Sequence, residues 1–144
     1  VLPMPWIGDG PRAEPDAPLR AGYRGRWFHP ATGYSVPQAL ALAAVFADHA
    51  DDPARVPTSA AYRELVARMR RQSRFARFLN RLLFTGVAPS SRWDVFHRFY
   101  RMPDAVIERF YRLDLRPADR VRMLVGRPPR GFSFRRALTG SAFA

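Results

Sequence analysis

The sequence predicts a mainly α-helical chain, with four to five helices after an irregular, partly extended start. Three observations carry that expectation. Six of the fourteen prolines and five of the nine glycines fall in the first 35 residues, and proline at that density breaks any long helix. From Val36 onward, apolar residues recur at steps of three and four, the spacing of one helical face. Proline and glycine then stand between those runs, where they open and close helices.

Taken in order, residues 1–7 suit an edge strand, because Pro3 and Pro5 exclude a central one. Residues 12–19 read as loop, and residues 27–29 as a short extended piece before Pro30. Ser35 is placed to cap a helix with Pro37 in its first turn. The run over residues 39–47 is apolar almost all round, which predicts burial in a larger assembly. The longest helix is expected over residues 59–84. Tyr62, Leu65, Val66, Met69, Ala76, Leu79 and Leu83 form its apolar stripe, and Arg63, Arg70, Arg74, Arg77 and Arg81 lie on another face. Gly86 and Pro89 stop it. Ser91-Arg-Trp-Asp94 resembles a capping box and opens a helix through Trp93, Phe96, Phe99 and Tyr100. Pro103 opens the next, carrying Val106, Ile107, Phe110 and Tyr111, and Pro117 opens another, closed by Gly126.

Composition excludes several classes of function. The 144 residues include no cysteine, so there is no disulfide scaffold, thiolate nucleophile or cysteine-ligated metal. The longest apolar run is nine residues, far short of a membrane span. No G-x-G-x-x-G or P-loop occurs, and His29, His49 and His97 show no metal-ligand spacing. His49, at a helix end, suits the helix dipole. The opening at Val1 lacks the pattern of a signal peptide, and the chain reads as the downstream part of something longer. The net charge is +12 from 24 arginines and no lysine. Residues 58–144 hold nineteen of those arginines against six carboxylates. Such a half-chain favours an anionic partner: nucleic acid, a lipid surface or an acidic protein.

Chemistry concentrates between Gly22 and Pro37, where three glycines, two prolines and four aromatics precede a helix start. Glycine lets backbone approach a ligand, and a helix N-terminus favours an anion. The same residues would also serve as a tight loop turning the chain into the helix.

Arg24-Gly-Arg-Trp-Phe-His-Pro-Ala-Thr-Gly-Tyr-Ser-Val-Pro37 resembles the R-(A/G)-G-L-F-H-P-x-T-G-Y-S-L-P motif of flavin-dependent lycopene beta-cyclases of the bacterial carotenoid type. Further segments are similar to family motifs in the same order: Val1-Leu-Pro-Met4, Phe78-Leu-Asn-Arg-Leu-Leu-Phe84, Arg98-Phe-Tyr-Arg-Met-Pro103, Ile107-Glu-Arg-Phe-Tyr111 and Gly126-Arg-Pro-Pro129.

The resemblance implies the C-terminal portion of an α+β or α/β FAD-binding flavoprotein. Residues 1–35 would complete an upstream FAD-binding domain, and residues 36–144 would form a C-terminal helical region. It assigns Arg24, Gly25, His29, Pro30, Thr32, Gly33, Tyr34 and Ser35 to a flavin-contacting loop, and points the helix beginning near Pro37 at the flavin N1–O2 edge. The implied enzyme is an intramolecular lyase or isomerase. It closes the linear ends of lycopene to the beta-ionone rings of beta-carotene by a redox-neutral, acid-initiated carbocation cyclisation needing reduced FAD, with NADPH as reductant. Its implied place is peripheral, on the cytoplasmic face of an anionic membrane that holds the polyene, with no nucleic acid as partner.

Two departures accompany the resemblance. The Phe-Leu-Glu-Glu-Thr run that supplies the family's proton donor and the dinucleotide fingerprint have no counterpart here, so the chain assigns itself no catalytic residue and is expected to be inactive alone. Arg26 and Trp27 stand where the family usually has Gly and Leu. Two other readings remain open: an arginine-rich helical module that binds nucleic acid through phosphate contact and base stacking, and a related FAD-dependent polyene reductase. The arginine-striped helix over residues 59–84 would either lie on an anionic membrane or pack on the enzyme with a solvated basic face.

Overall fold

Wherever apolar residues recur at steps of three and four, the chain is helical. The computed structural model describes residues 11, 19–126 and 128–139. The edge strand expected over residues 1–7 and most of the loop over residues 12–19 lie outside them. Helices α1 (Val36–Ala47), α2 (Ala60–Arg81), α3 (Arg92–Phe99), α4 (Asp104–Tyr111), α5 (Pro117–Leu124) and α6 (Phe134–Thr139) follow in order, and there is no strand among the described residues. The mainly α reading holds. Residues 27–29 are non-helical, as expected, but enter no ladder: His29 N–H donates instead to the Tyr34 carbonyl at 2.7 Å. The α6 helix is an addition to the helices read from the sequence.

Two compact units divide the chain between Arg74 and Phe75, inside α2. In the first unit, α1 buries Gln38, Leu42 and Val45 along one stripe, while Val36 and Leu40 are exposed. Uniform apolarity therefore leaves half of α1 uncovered here. His49 closes its C-terminal end, with Nδ1 2.9 Å from the Val45 carbonyl oxygen, where a helix has carbonyls to spare. A 3₁₀ segment, Pro53–Thr58, leads to α2. Ser59 caps α2, its Oγ accepting the Tyr62 N–H at 3.2 Å. The 3.6-residue period then sets Tyr62, Leu65, Val66 and Met69 on one buried face, each contributing about 1.5–3 kcal/mol of transfer free energy. Arg63, Arg70 and Arg74 are exposed.

In the second unit, α2 gives way to a π-turn at Leu82–Gly86. Thr85 Oγ1 donates to the Arg81 carbonyl at 2.7 Å, engaging the acceptor that an α-turn would offer the Thr85 N–H. Gly86 in turn accepts the Ser133 N–H at 2.8 Å, which fixes the start of α6. Phe99 meets Phe110 edge-on at 4.9 Å between centroids, and Val106, Phe110, Leu113 and Leu115 are buried. The capping box expected at Ser91 does not form. Ser91 has φ −104° and ψ 0° and makes no side-chain cap bond, because an N-cap needs extended backbone to aim its oxygen at the next turn. A 3₁₀ turn, Pro89–Ser91, ends there instead. The α5 helix ends as expected, with Val125 as C-cap and Gly126 at φ +125° beyond it.

Candidate functional site

The loop from Arg20 to Ser35 is held from inside by its own aromatics. Trp27 is buried, and its Nε1–H donates to the Arg20 carbonyl at 3.1 Å. Its ring lies 5.9 Å from that of Tyr62 on α2. Phe28, also buried, stacks on Tyr23 at 4.8 Å. The Tyr23 hydroxyl reaches over ten residues to donate to the Gly33 carbonyl at 2.6 Å, which closes the loop. Gly25 is required by close approach: a Cβ there would run into the Arg20 carbonyl and come within 2.7 Å of the Trp27 ring.

The second turn of the loop is organised by His29. Its carbonyl accepts N–H groups from Thr32 at 3.2 Å and Gly33 at 2.8 Å. Its Nδ1 accepts the Ala31 N–H at 3.2 Å, which places the neutral ring's proton on Nε2. Gly33 turns the chain with φ +74°, the left-handed conformation that side chains disfavour. Thr32 Oγ1 accepts the Tyr34 N–H at 3.2 Å. The Ser35 carbonyl then accepts the Ala39 N–H at 2.9 Å and starts α1, whose N-cap residue adds no side-chain hydrogen bond.

The eight residues assigned to this loop therefore fall into layers. Arg24, Thr32 and Tyr34 are exposed; Gly25, Gly33 and Ser35 are half-buried; His29 and Pro30 are buried beneath them. Tyr23 and Trp27, absent from that assignment, hold the loop together. Their signal in the sequence was only their presence between Gly22 and Pro37, because each reaches its partner through a turn. A helix N-terminus without a side-chain cap, behind a glycine turn, fits the anionic edge of a flavin. Of the eight assigned residues, Arg24, Thr32, Tyr34 and Ser35 have polar side chains at the surface of the loop, where they could touch such a group.

Acid chemistry has little purchase here. The one carboxylate buried among the described residues is Asp119, where Arg109 Nε and Nη2 donate to its two oxygens at 2.8 Å each. The Arg116 N–H adds a third bond at 3.0 Å, so Asp119 supplies the carboxylate half of a capping box for α5. These bonds outweigh burial and hold its carboxyl down at about 2, leaving it ionised at neutral pH. Burial, with a 2.8 Å bond to the Tyr100 hydroxyl, pushes the Tyr111 phenol up to about 12. No group of His, Asp and Glu able to hold a metal is found among the described residues.

The family model described as lycopene cyclase protein matches residues 1–137. The chain belongs to the lycopene cyclase family. Among curated relatives, it is 44% identical over 112 residues to a lycopene beta-cyclase of Paracoccus sp. (strain N81106 / MBIC 01143), covering 78% of this chain and 29% of that protein. A lycopene beta-cyclase of Pseudescherichia vulneris is 42% identical over 130 residues, covering 89% and 33%. One from Pantoea ananas is 38% identical over 134 residues, covering 90% and 34%. The chain thus spans about a third of the length of the curated relatives it matches. No solved structure matches it. As a lycopene cyclase family member, it departs from the usual motif at Arg26, whose φ of +61° is the conformation for which glycine is suited. Trp27 replaces the usual leucine and still fills a buried position.

Proposed function

We propose that this chain is the C-terminal part of a lycopene beta-cyclase, which closes the linear ends of lycopene to beta-ionone rings and yields beta-carotene. The observation that carries the reading is the 44% identity to a lycopene beta-cyclase over 78% of the chain. In this reading residues 1–35 complete an upstream FAD-binding domain and residues 36–144 form the helical region beyond it. Bound and reduced, with NADPH as reductant, FAD supplies electrostatic stabilisation of the cationic transition state in a redox-neutral isomerisation.

This chain's part is to hold and position. Arg24, Thr32, Tyr34 and Ser35 would hold the flavin, with Gly25 and Gly33 shaping the backbone that faces it. The N-terminus of α1 would offer its partial positive charge to a bound, reduced flavin without reorganisation. His29 and Pro30 support the loop from beneath. The acid that protonates lycopene comes from outside these residues, which agrees with Asp119 being held ionised. The basic second half lies at the cytoplasmic face of an anionic membrane, where the polyene is dissolved.

Expression of the full-length reading frame in cells that accumulate lycopene tests this function. Conversion of red pigment to yellow-orange beta-carotene is expected. Unchanged pigment from well-expressed, flavin-loaded protein would overturn the cyclase, and a product with fewer double bonds would transfer the reading to a polyene reductase. For the loop, Thr32→Ala/Tyr34→Ala in the full-length enzyme should lower the flavin retained on purification several-fold. Full flavin content in that variant would remove the loop from the site.

A further inference from the structure

Two motifs that the flavin site does not use meet in the second unit. Arg98-Phe-Tyr-Arg-Met-Pro103 ends α3, and Gly126-Arg-Pro-Pro129 follows α5. The Arg98 guanidinium donates to the Val125 carbonyl, a helix C-terminal acceptor with matching dipole, and so ties the two elements together. Between them lies an open groove of about 780 Å³, whose walls include His97, Arg98, Arg101, Arg122, Val121 and Val125 and contain no carboxylate. Three guanidinium groups around one groove call for an anion.

The helices that flank the groove also expose apolar side chains. Trp93 is 74% exposed and Val125, which lines the groove, 62%, and Phe96, Tyr100, Val121 and Leu124 are exposed as well. Trp93 and Phe96 on α3 and Tyr100 at its C-cap follow one turn apart, and Val121 and Leu124 on α5 share a face with Val125 at its C-cap. We propose that this α3–α5 face is a docking surface for anionic lipid, with Arg101 and Arg122 at the phosphate headgroups and Trp93, Phe96, Val121 and Leu124 entering the interfacial layer. The assignment rests on the membrane part of the proposed function and gives it a location.

Chemistry selects lipid over nucleic acid and over the arginine stripe of α2. The apolar side chains that α5 exposes are aliphatic. They gain by leaving water for acyl chain but offer no π-face on which bases stack. Tryptophan and tyrosine favour the headgroup level, where one end of the ring is wet. On α2 the arginines are present, but Tyr62, Leu65, Val66 and Met69 are buried within the protein and Phe78 is the one large apolar side chain exposed among residues 60–81, so insertion there has less apolar surface to use than on α3 and α5.

The test is flotation of the purified full-length enzyme with phosphatidylcholine vesicles, with and without phosphatidylglycerol. Wild type should bind the anionic vesicles, and Arg101→Gln/Arg122→Gln should weaken binding about 30-fold, from two headgroup arginines. Val121→Asn/Leu124→Asn should abolish the binding that survives in high salt. Arg70→Gln/Arg74→Gln on α2 should stay within about twofold of wild type. Circular dichroism confirms that each variant is folded, since all three pairs are exposed. Unchanged binding in both groove variants, equal weakening in the α2 variant, or displacement by millimolar inorganic phosphate in place of headgroups would each overturn the proposal. Cyclisation of lycopene in detergent micelles separates the two readings: it persists in the groove variants if the enzyme is a cyclase, whatever their vesicle binding.

Discussion

At Arg26 the chain turns with φ +61°, and an L-residue held there costs roughly 1–2 kcal/mol. Arg26→Gly in the full-length enzyme is expected to raise unfolding stability by about 1 kcal/mol, after allowing for glycine's greater freedom when unfolded. A higher urea midpoint at unchanged slope is the measurement; a lower midpoint would mean that the arginine's contacts outweigh the strain. Asp119 offers the opposite case, a residue already in its best setting. Asp119→Ala removes three charge-assisted bonds and should cost about 2 kcal/mol. Its carboxyl lies at about 2 when folded against 3.8 otherwise, so the unfolded chain binds the proton more readily. The stabilisation is therefore complete above pH 3.8 and is lost as pH falls through 2. An acid titration of wild type against Asp119→Ala should converge below that point. None of this was legible in the sequence, because Arg109 and Asp119 sit on different helices and nothing in their spacing announces a pair. The left-handed turn at Arg26 was half legible: the motif normally carries glycine there, but the φ that explains the preference is seen only in the fold.

The elements were the most readable level, for a local reason. Ser59, Gly86, Pro103 and Pro117 each act within one turn, by a cap, a flexible backbone or a fixed φ, and the helix boundaries follow them closely. Ser59→Ala should accordingly destabilise the start of α2 by about 1 kcal/mol, read as a lower thermal midpoint or as faster amide exchange at Tyr62. The misses share a different cause. Ser91 is followed by Asp94 as a capping box requires, but the preceding 3₁₀ turn sets its ψ near 0°, so backbone geometry decided against the side chain. The α6 helix depends on Ser133 bonding to Gly86, a contact nearly fifty positions away. The layering of the candidate loop was hidden for the same reason. Which of Arg24, His29 and Tyr34 faces outward depends on Trp27 meeting Tyr62 of α2.

For the whole molecule, the partial span of its relatives matters most. The exposed apolar side chains of α1, Val36 and Leu40 among them, are expected to be covered in the full-length enzyme. Leu40→Arg there should reduce the soluble, flavin-loaded fraction, whereas Leu124→Arg, also at an exposed side chain, should not. The chain expressed without the remainder should leave lycopene red in accumulating cells. The π-turn at Leu82–Gly86 closes α2, and the chain leaves it in extended backbone at Val87. Its hydrogen-bonded ring holds one residue more than that of an α-turn, so the last side chains of the helix are rotated away from the positions that a 3.6-residue wheel assigns them. A face drawn for residues 60–81 therefore stops at Arg81 and does not carry on through Leu82 and Leu83.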